Sequence, residues 1–559
     1  MNAPARAGAE AHRTPADARA AASLLLLRDG PHGLQVLMLR RAEREGDMRS
    51  GVTVFPGGVL DPRDRHAHGF CLGCDDLAMS QRLGLPLGGL DYAVAALRET
   101  FEEVGLLLAE GDIDPLALRP WRERLQAGQG DIAEMCREQG LQLDLRGLAY
   151  VAHWLTPPGL PRRFDTRFFA APAPLWQEAQ ADRGEALELM WLAPREALDP
   201  ARGLKLLTVT ERLLGELAVY ASAAQALAAF AARTAVPLTM PRRAASARGP
   251  RVVLPGEWAY AEIARLDPAG RGDAWCDLVA GRAVRLSERV IRVTAPNPGP
   301  MTGPGTNTYL VGDGAGWTVI DPGPAEAPGV AGPGPHLQAL LAAAPGRIER
   351  ILVTHTHRDH SPAAAALAQI TGAPVLGRRA AHPEWQDEGF HPARELQHGE
   401  RLALGPGAAL RVIHTPGHAS NHLCYLLEEE KLLFTGDHVM QGSTVVINPP
   451  DGDMQAYLAA LQALLDEDLE WLAPGHGFLV PEPQTVLRGL IAHRLKREAK
   501  VRAALQAAGP APLQALLPQV YDDVPPALHG VAARSLLAHL LKLQADGDAV
   551  LADQAWSAR

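Results

Sequence analysis

Apolar residues in the first 235 positions follow two rhythms. Short unbroken runs, SLLLL (23–27), LQVLMLR (34–40) and TRFFAAP (166–172), predict strands, and the segments between them carry the three-to-four-residue periodicity of amphipathic helices. The alanine-rich run LLGELAVYASAAQALAAFAAR (213–233) contains Glu216 and Gln225 and reads as a buried helix rather than a membrane span. Residues 236–284 lose this periodicity and read as a linker with an extended module. A second strand-rich unit, 285–482, runs through RVIRVT, WTVID, RILVTH, APVLG, LRVIHT, LCYLL and KLLFTGD, its strands alternating with Ala/Leu helices in the manner of layered α/β packing. From 483 to 559 the pattern turns helical, beginning with LRGLIAHRLKREAKVRAALQAA and ending on a short strand-like segment, AVLADQAW. Residues 1–19 have neither rhythm and read as a disordered tail.

With 559 residues the chain is too long for one core, and its 47% hydrophobic and 21% charged content is that of a globular protein. A net charge of −10 excludes a broadly basic surface that would bind nucleic acid by charge alone. Five scattered cysteines form no disulfide framework, which fits a reducing, cytoplasmic setting without membrane attachment. Arginine outnumbers lysine 49 to 5, a bias expected of a high-GC bacterial genome.

The densest chemistry lies in THTHRDH (354–360), directly after an apolar strand. Imidazoles and a carboxylate gathered at a strand end suit zinc or a similar divalent ion better than a core. Further candidate ligands, His418, Asp437 and His476, each sit beside Gly or Pro in a loop after a later strand. These residues resemble the metallo-β-lactamase superfamily pattern HxHxDH, H, D, H. The resemblance implies an αβ/βα sandwich holding two Zn (or Fe or Mn) ions: one on His355, His357 and His418, the other on Asp359, His360 and His476, with Asp437 bridging and catalytic. It also implies that Asp321, in VIDPG, supports the site from behind. Cys424, in the strand LCYLL, reads as packing rather than a ligand. The segment APNPGPMTGPGTNTYLVG and the helical C-terminal region resemble the group of this superfamily that includes a mitochondrial endoribonuclease with a winged-helix-like domain. RNA is therefore kept as an alternative partner to an ester or thioester. His493, Arg494, Lys496, Arg497, Lys500 and Arg502 either guide RNA or form a solvated helix face.

The first unit carries AALRETFEEVG (95–105), in which Glu99, Glu102 and Glu103 share one helical face. Oxygen-only ligands of this kind suit Mg²⁺ or Mn²⁺. The stretch resembles the Nudix box of diphosphate-cleaving hydrolases, with Gly58 as the opening glycine, Asp64 in the place of its first glutamate, and Arg98, Glu99, Glu102, Glu103 and Gly105 completing it. The spacer between Asp64 and Arg98 is 26 residues longer than in the box, as in coenzyme A-cleaving members, and Thr100 stands where a bulky apolar residue belongs. The resemblance implies a Nudix α/β/α sandwich over 20–235 with Glu102 and Glu103 catalytic, Arg98, Gly58 and Asp64 supporting, and Glu188 as an optional further ligand. A loop insertion costs only on the order of 1 kcal/mol in closure entropy, so the box tolerates it. Within the insertion, His66, His68, Cys71 and Cys74 are either a compact zinc site or free side chains in a mobile loop. The expected chain is thus a multidomain α/β and α+β hydrolase with two sites, acting on a phosphorylated or thioester small molecule.

Overall fold

The computed structural model describes residues 14–42, 50–180, 186–314, 316–325, 333–405 and 407–559. The expected tail therefore falls mostly outside the described residues, but its last positions do not: the first strand begins at Ala18, and Thr14 donates a hydrogen bond to Asp165.

That strand, Ala18–Gly30, is central to a nine-stranded mixed sheet, parallel to Arg163–Pro172 and antiparallel to Gly33–Arg41. Its residues 21–27 are buried without interruption because both faces are covered. Leu24, Leu26, Leu37 and Leu39 pack under the helix Gly89–Val104, whereas Leu25, Leu27, Val36 and Met38 meet Leu213, Leu217 and Phe230 on the opposite face. The strand period of two thus builds an α/β/α sandwich. The alanine-rich run is two helices rather than one, Thr208–Leu217 and Ala223–Ala231, divided where the Ser222 hydroxyl caps the second by accepting the Gln225 amide.

The insertion is not a mobile loop. It forms a 3₁₀ segment (Pro62–Phe70), a helix (Asp76–Leu83) and the first turns of Gly89–Val104, and it places Ala67, Met79, Leu83, Leu90 and Val94 in the core. Its apolar content is enough to pack, so its cost is offset by burial.

Residues 236–284 are more structured than a linker. Leu238–Thr239 joins the first sheet beside Ala149–Leu155, Arg242–Ala244 and Arg251–Val253 form a hairpin, and a helix spans Tyr260–Leu266. Val253, Ile263 and Cys276 share a small core with Phe478 of the second unit. Glu262 makes a bidentate, fully buried ion pair with Arg292 (2.7 and 2.8 Å) and accepts the Leu479 amide at 2.8 Å.

The second unit is a sandwich of a seven-stranded and a six-stranded sheet. Val290, Tyr309, Ile320 and Leu352 of one sheet face Leu410, Val412, Tyr425 and Phe434 of the other. The helices Pro335–Ala343 and Ala364–Thr371 cover one outer face, and Met454–Leu464 with the first half of Pro483–Ala508 covers the other. This is the expected αβ/βα layering. The helix Pro483–Ala508 begins at the expected boundary but packs against both units: Leu487 and Leu490 on the sandwich, Val501 and Leu505 in the C-terminal core with Leu516, Leu536 and Trp556. The C-terminal unit ends in the antiparallel hairpin Ala549–Ala552/Ala555–Ala558, the wing of a winged helix. No helix among the described residues is long and apolar enough to cross a membrane.

Candidate metal centres

All seven candidate ligands of the second unit meet at the edge between its two sheets. Parallel strands Gly316–Ile320 and Arg347–Leu352 deliver Asp321 and the THTHRDH turn, and Leu432–Gly436 and Trp471–Pro474 deliver Asp437 and His476. The nitrogens of His355 and His357 lie 2.9 Å apart, and those of His357 and His418 3.0 Å. On the other side His360 Nε2 is 3.3 Å from Asp359 and 3.4 Å from Asp437, and His476 Nε2 is 3.3 Å from each of the same carboxylates. Asp437 turns its second oxygen to within 3.7 Å of His418, so it faces both groups. Three sets of donor atoms are each close enough to share one ion: His355, His357 and His418; His355, His360 and Asp437; and Asp359, His360 and His476.

The donors are oriented from behind. Asp321 accepts from the Thr354 amide and hydroxyl (both 2.7 Å) and holds His360 Nδ1 at 2.8 Å. It does so from a left-handed backbone (φ 52°), a costly conformation outside glycine that fixes where its carboxylate points. The carbonyls of Val446 and Gly305 fix Nδ1 of His418 and His476, at 2.8 and 3.2 Å, which aims Nε2 into the site. Gly475 is obligatory in its own way: a Cβ there would stand 2.6 Å from Asp437 Oδ1.

The donor set fits divalent ions. His360 Nε2, His476 Nε2 and Asp437 Oδ1 are buried and have no hydrogen-bond partner, a cost that a bound cation removes. Burial, reinforced by neighbouring imidazoles, holds His355 far below its usual pKa and His357 down to about 3, so both present lone pairs. Burial also opposes charge on His360 and His476. The carboxylates Asp359 and Asp437 overcome it, lifting His476 to about 10 and His360 well above its usual value. The two carboxylates thus favour positive charge on this side of the site.

Sequence reasoning missed several supports. His422 Nε2 accepts the Asp437 amide at 3.2 Å, and Thr306 donates to Asp359 at 3.1 Å. Arg534, from the C-terminal unit, lines the same cavity of about 600 Å³ as His357, Asp359 and Asp437 and has no side-chain partner among the described residues. Arg534 lies nearly 60 residues beyond the last expected ligand, and no local motif marks it. Cys424 is fully buried beside Thr415, as packing.

In the first unit Arg98 organises the acidic helix. It donates to Asp64 at 2.7 and 3.2 Å, to Glu99 at 2.8 Å, to Glu102 at 2.9 Å and to the Val59 carbonyl at 3.0 Å. Asp64 is 1% exposed and also accepts the Asp61 amide, so it is an anchor for Arg98 rather than an ion ligand. Glu103 accepts the Gly57 amide at 2.9 Å, and Gly58 brings backbone so close to Glu99 that a Cβ would lie 2.3 Å from its carboxyl carbon. Burial pushes Glu99 up to about 7 against the pull of Arg98, with Glu102 adding to the rise. Crowded buried carboxylates of this kind fit a hard cation. Thr100 is accommodated because its hydroxyl bonds the Ala96 carbonyl at 2.7 Å. Glu188 is exposed, pairs across the sheet with Arg40 and does not line the cavities beside the acidic helix. The compact zinc reading of the insertion fails. His66 and His68 turn to different carboxylates, Asp131 (2.7 Å) and Asp91 (2.8 Å), and Cys71 and Cys74 point to separate carbonyls.

Three of the six residues in the suggested RNA-guiding cluster are neutralised. Arg497 pairs with Asp523, Lys500 with Asp522, Arg502 with Glu498 and Asp548, and Arg494 donates to the Val445 carbonyl.

Known families match in the same order as these units. The NUDT19 Nudix domain matches residues 74–206, the metallo-beta-lactamase superfamily 301–476, and the beta-lactamase associated winged helix domain 513–556. A beta-lactamase-like protein 2 homolog of Caenorhabditis elegans is 33% identical over 268 residues, spanning 47% of this chain and 86% of the relative. An atrochrysone carboxyl ACP thioesterase of Aspergillus chevalieri is 32% identical over 271 residues, 47% and 83% of the two chains. The crystal structure of a NUDIX hydrolase from Alicyclobacillus acidocaldarius is 28% identical, covering 38% of this chain and 96% of that one, with a TM-score of 0.32. These relatives include animals and fungi and lend the bacterial reading of the arginine bias no support. With its ligand-bearing sandwich, the preceding Nudix domain and the winged helix that follows, the chain is a hydrolase that belongs to the metallo-beta-lactamase superfamily.

Proposed function

We propose that the second unit hydrolyses an acyl thioester at a two-zinc-type centre and that the first cleaves a diphosphate-linked substrate, coenzyme A or an acyl-CoA, with Mg²⁺ or Mn²⁺. The observation that carries the first half is the convergence of seven side chains from four loops with buried, unpartnered donor atoms. His355, His357 and His418 would hold one ion, Asp359, His360 and His476 the second, and Asp437 would contact both. Two such ions polarise a carbonyl and lower the pKa of water. Asp321, Thr354 and the Val446 and Gly305 carbonyls keep the imidazoles in one tautomer and orientation, so little reorganisation accompanies reaction. Arg534 offers charge to an anionic part of the substrate outside the reacting bond. The thioesterase among the relatives supports a thioester, and the neutralised C-terminal cations weigh against RNA.

In the first unit Glu99, Glu102 and Glu103 would hold the ion, with Arg98 keeping the first two in place. Arg19 and Arg243 line the cavity of about 750 Å³ next to Glu99 and Glu103, have no side-chain partner among the described residues, and suit a diphosphate. The five free cysteines support a reducing, cytoplasmic setting. The test is hydrolysis of acetyl-, octanoyl- and palmitoyl-CoA by the metal-loaded chain, following thiol release and 3′,5′-ADP release separately. Asp437→Ala should abolish only the first and Glu102→Gln only the second. Cleavage of single-stranded RNA with no thiol release would replace the thioester reading.

A further inference from the structure

Beside the centre lies a second chamber of about 650 Å³ whose wall includes His476 and whose other residues come from three units. Residues 236–284 contribute Trp258 and Leu278, the sandwich Phe478, and the C-terminal unit Tyr521, Leu528 and Val531. Met301, Met440 and Val446 line both this chamber and the cavity holding His357, Asp359 and Asp437, so the two spaces share a wall at the metal ligands. Trp258, Met301 and Leu528 are each more than half exposed, and large apolar side chains gathered around a concavity mark a ligand site rather than ordinary surface. Of the cations at its edge, Arg497 pairs with Asp523 and bonds the Val520 carbonyl, whereas Arg494 donates to the carbonyl of Val445, another lining residue. The chamber thus offers mostly apolar contact area, with Arg494, whose guanidinium meets no carboxylate among the described residues, at its edge.

We propose that this chamber holds the acyl chain of the substrate, placing its carbonyl at the metal ligands and making the enzyme selective for medium or long chains. The assignment rests on the thioesterase reading above. It also gives residues 236–284 and the winged helix a role, since the chamber is incomplete without either.

Two measurements on the full-length, metal-loaded chain separate the chamber from the reaction. The first is kcat/KM along the saturated acyl-CoA series from acetyl to palmitoyl. It should rise by up to about fourfold per added methylene, the value of burying one CH2, and then level off where the chamber is full. Val531→Trp, which narrows the chamber, should move the plateau to shorter chains and lower the octanoyl-to-acetyl ratio at least tenfold. Trp258→Ala, which enlarges it at an exposed position, should move the plateau to longer chains and serves if the first variant does not fold. The second is calorimetric binding of decanoate, which needs no turnover: the wild type should bind and Val531→Trp should bind at least tenfold more weakly. A flat chain-length series, or equal decanoate binding by both proteins, overturns the proposal. So does dimerisation of the wild type that Val531→Trp abolishes, which would make the chamber a protein interface. Decanoate binding that depends on Val531 without any thioester hydrolysis would uphold the chamber and sink the thioesterase reading alone.

Discussion

Replacing Glu262 by glutamine isolates what fastens residues 236–284 to the sandwich that carries the candidate metal ligands. Glu262 is 1% exposed and Arg292 2%, and their bidentate bonds of 2.7 and 2.8 Å are the pair's only ionic contacts among the described residues. Glutamine preserves the shape and can still accept the Leu479 amide, but it leaves a buried guanidinium without its counter-charge. Breaking such a pair from one side costs about 3–5 kcal/mol. Removing both partners costs much less, because the uncompensated charge goes too. Glu262→Leu combined with Arg292→Met should therefore recover most of the loss, retaining about 1 kcal/mol for the lost bond to Leu479. Urea unfolding of the full chain, followed by tryptophan fluorescence of the transition that includes the sandwich, gives the midpoint and slope for each variant. A cost below about 1 kcal/mol for Glu262→Gln, or a double variant less stable than the single one, would refute this reasoning.

Asp321→Asn removes the charged anchor of His360 and should weaken metal binding about 10–100-fold in chelator competition, and it should also lower the unfolding midpoint of the apoprotein, because a buried ion pair is broken from one side. Gly475→Ala drives a methyl toward Asp437 Oδ1 and should cut bound metal and thiol release together. In the first unit, Asp64→Asn removes the most buried of Arg98's three carboxylate partners and should lower diphosphate cleavage and destabilise by about 1–3 kcal/mol in denaturant unfolding; unchanged stability would remove Asp64 from its anchoring role. Glu498 supplies the pH dependence. Burial alone would raise it, but His539, Lys542 and Arg502 hold its carboxyl at about 2. A folded value below the ordinary 4.5 contributes stability that is fully present above that value and is lost as the pH falls from 4.5 toward 2. Partly exposed Arg502 screens the cluster, so by about pH 3 the winged helix should lose about 1–2 kcal/mol that a Glu498→Gln variant does not lose.

The two sites were legible from sequence for the same reason: the ligands are clustered by local spacing. THTHRDH presents four donors on one turn, and Glu99, Glu102 and Glu103 share a helix face whatever precedes them. The role of Asp64 was half legible, since its position relative to Gly58 was preserved but its burial under Arg98 needed the fold. What could not be read were contacts between distant segments. Glu262 lies in a stretch without periodicity, some 30 residues from its partner Arg292 in a strand, Arg534 enters the cavity from another unit, and the insertion looked like a loop because its 3₁₀ segment and short helix have weak periodicity. The cationic run 493–502 misleads for the opposite reason, because its partners Asp522, Asp523 and Asp548 arrive from later in the chain.

The central claim is that the gathered histidines and aspartates are a two-ion centre. Elemental analysis of the purified full chain after zinc loading and exhaustive dialysis decides it, with Glu102→Gln included to remove any contribution from the first unit. That variant should retain two equivalents, and adding His476→Ala should bring the content to about one with loss of thiol release. About one equivalent or less in Glu102→Gln alone, or thiol release that survives complete chelation of metal, would contradict the account.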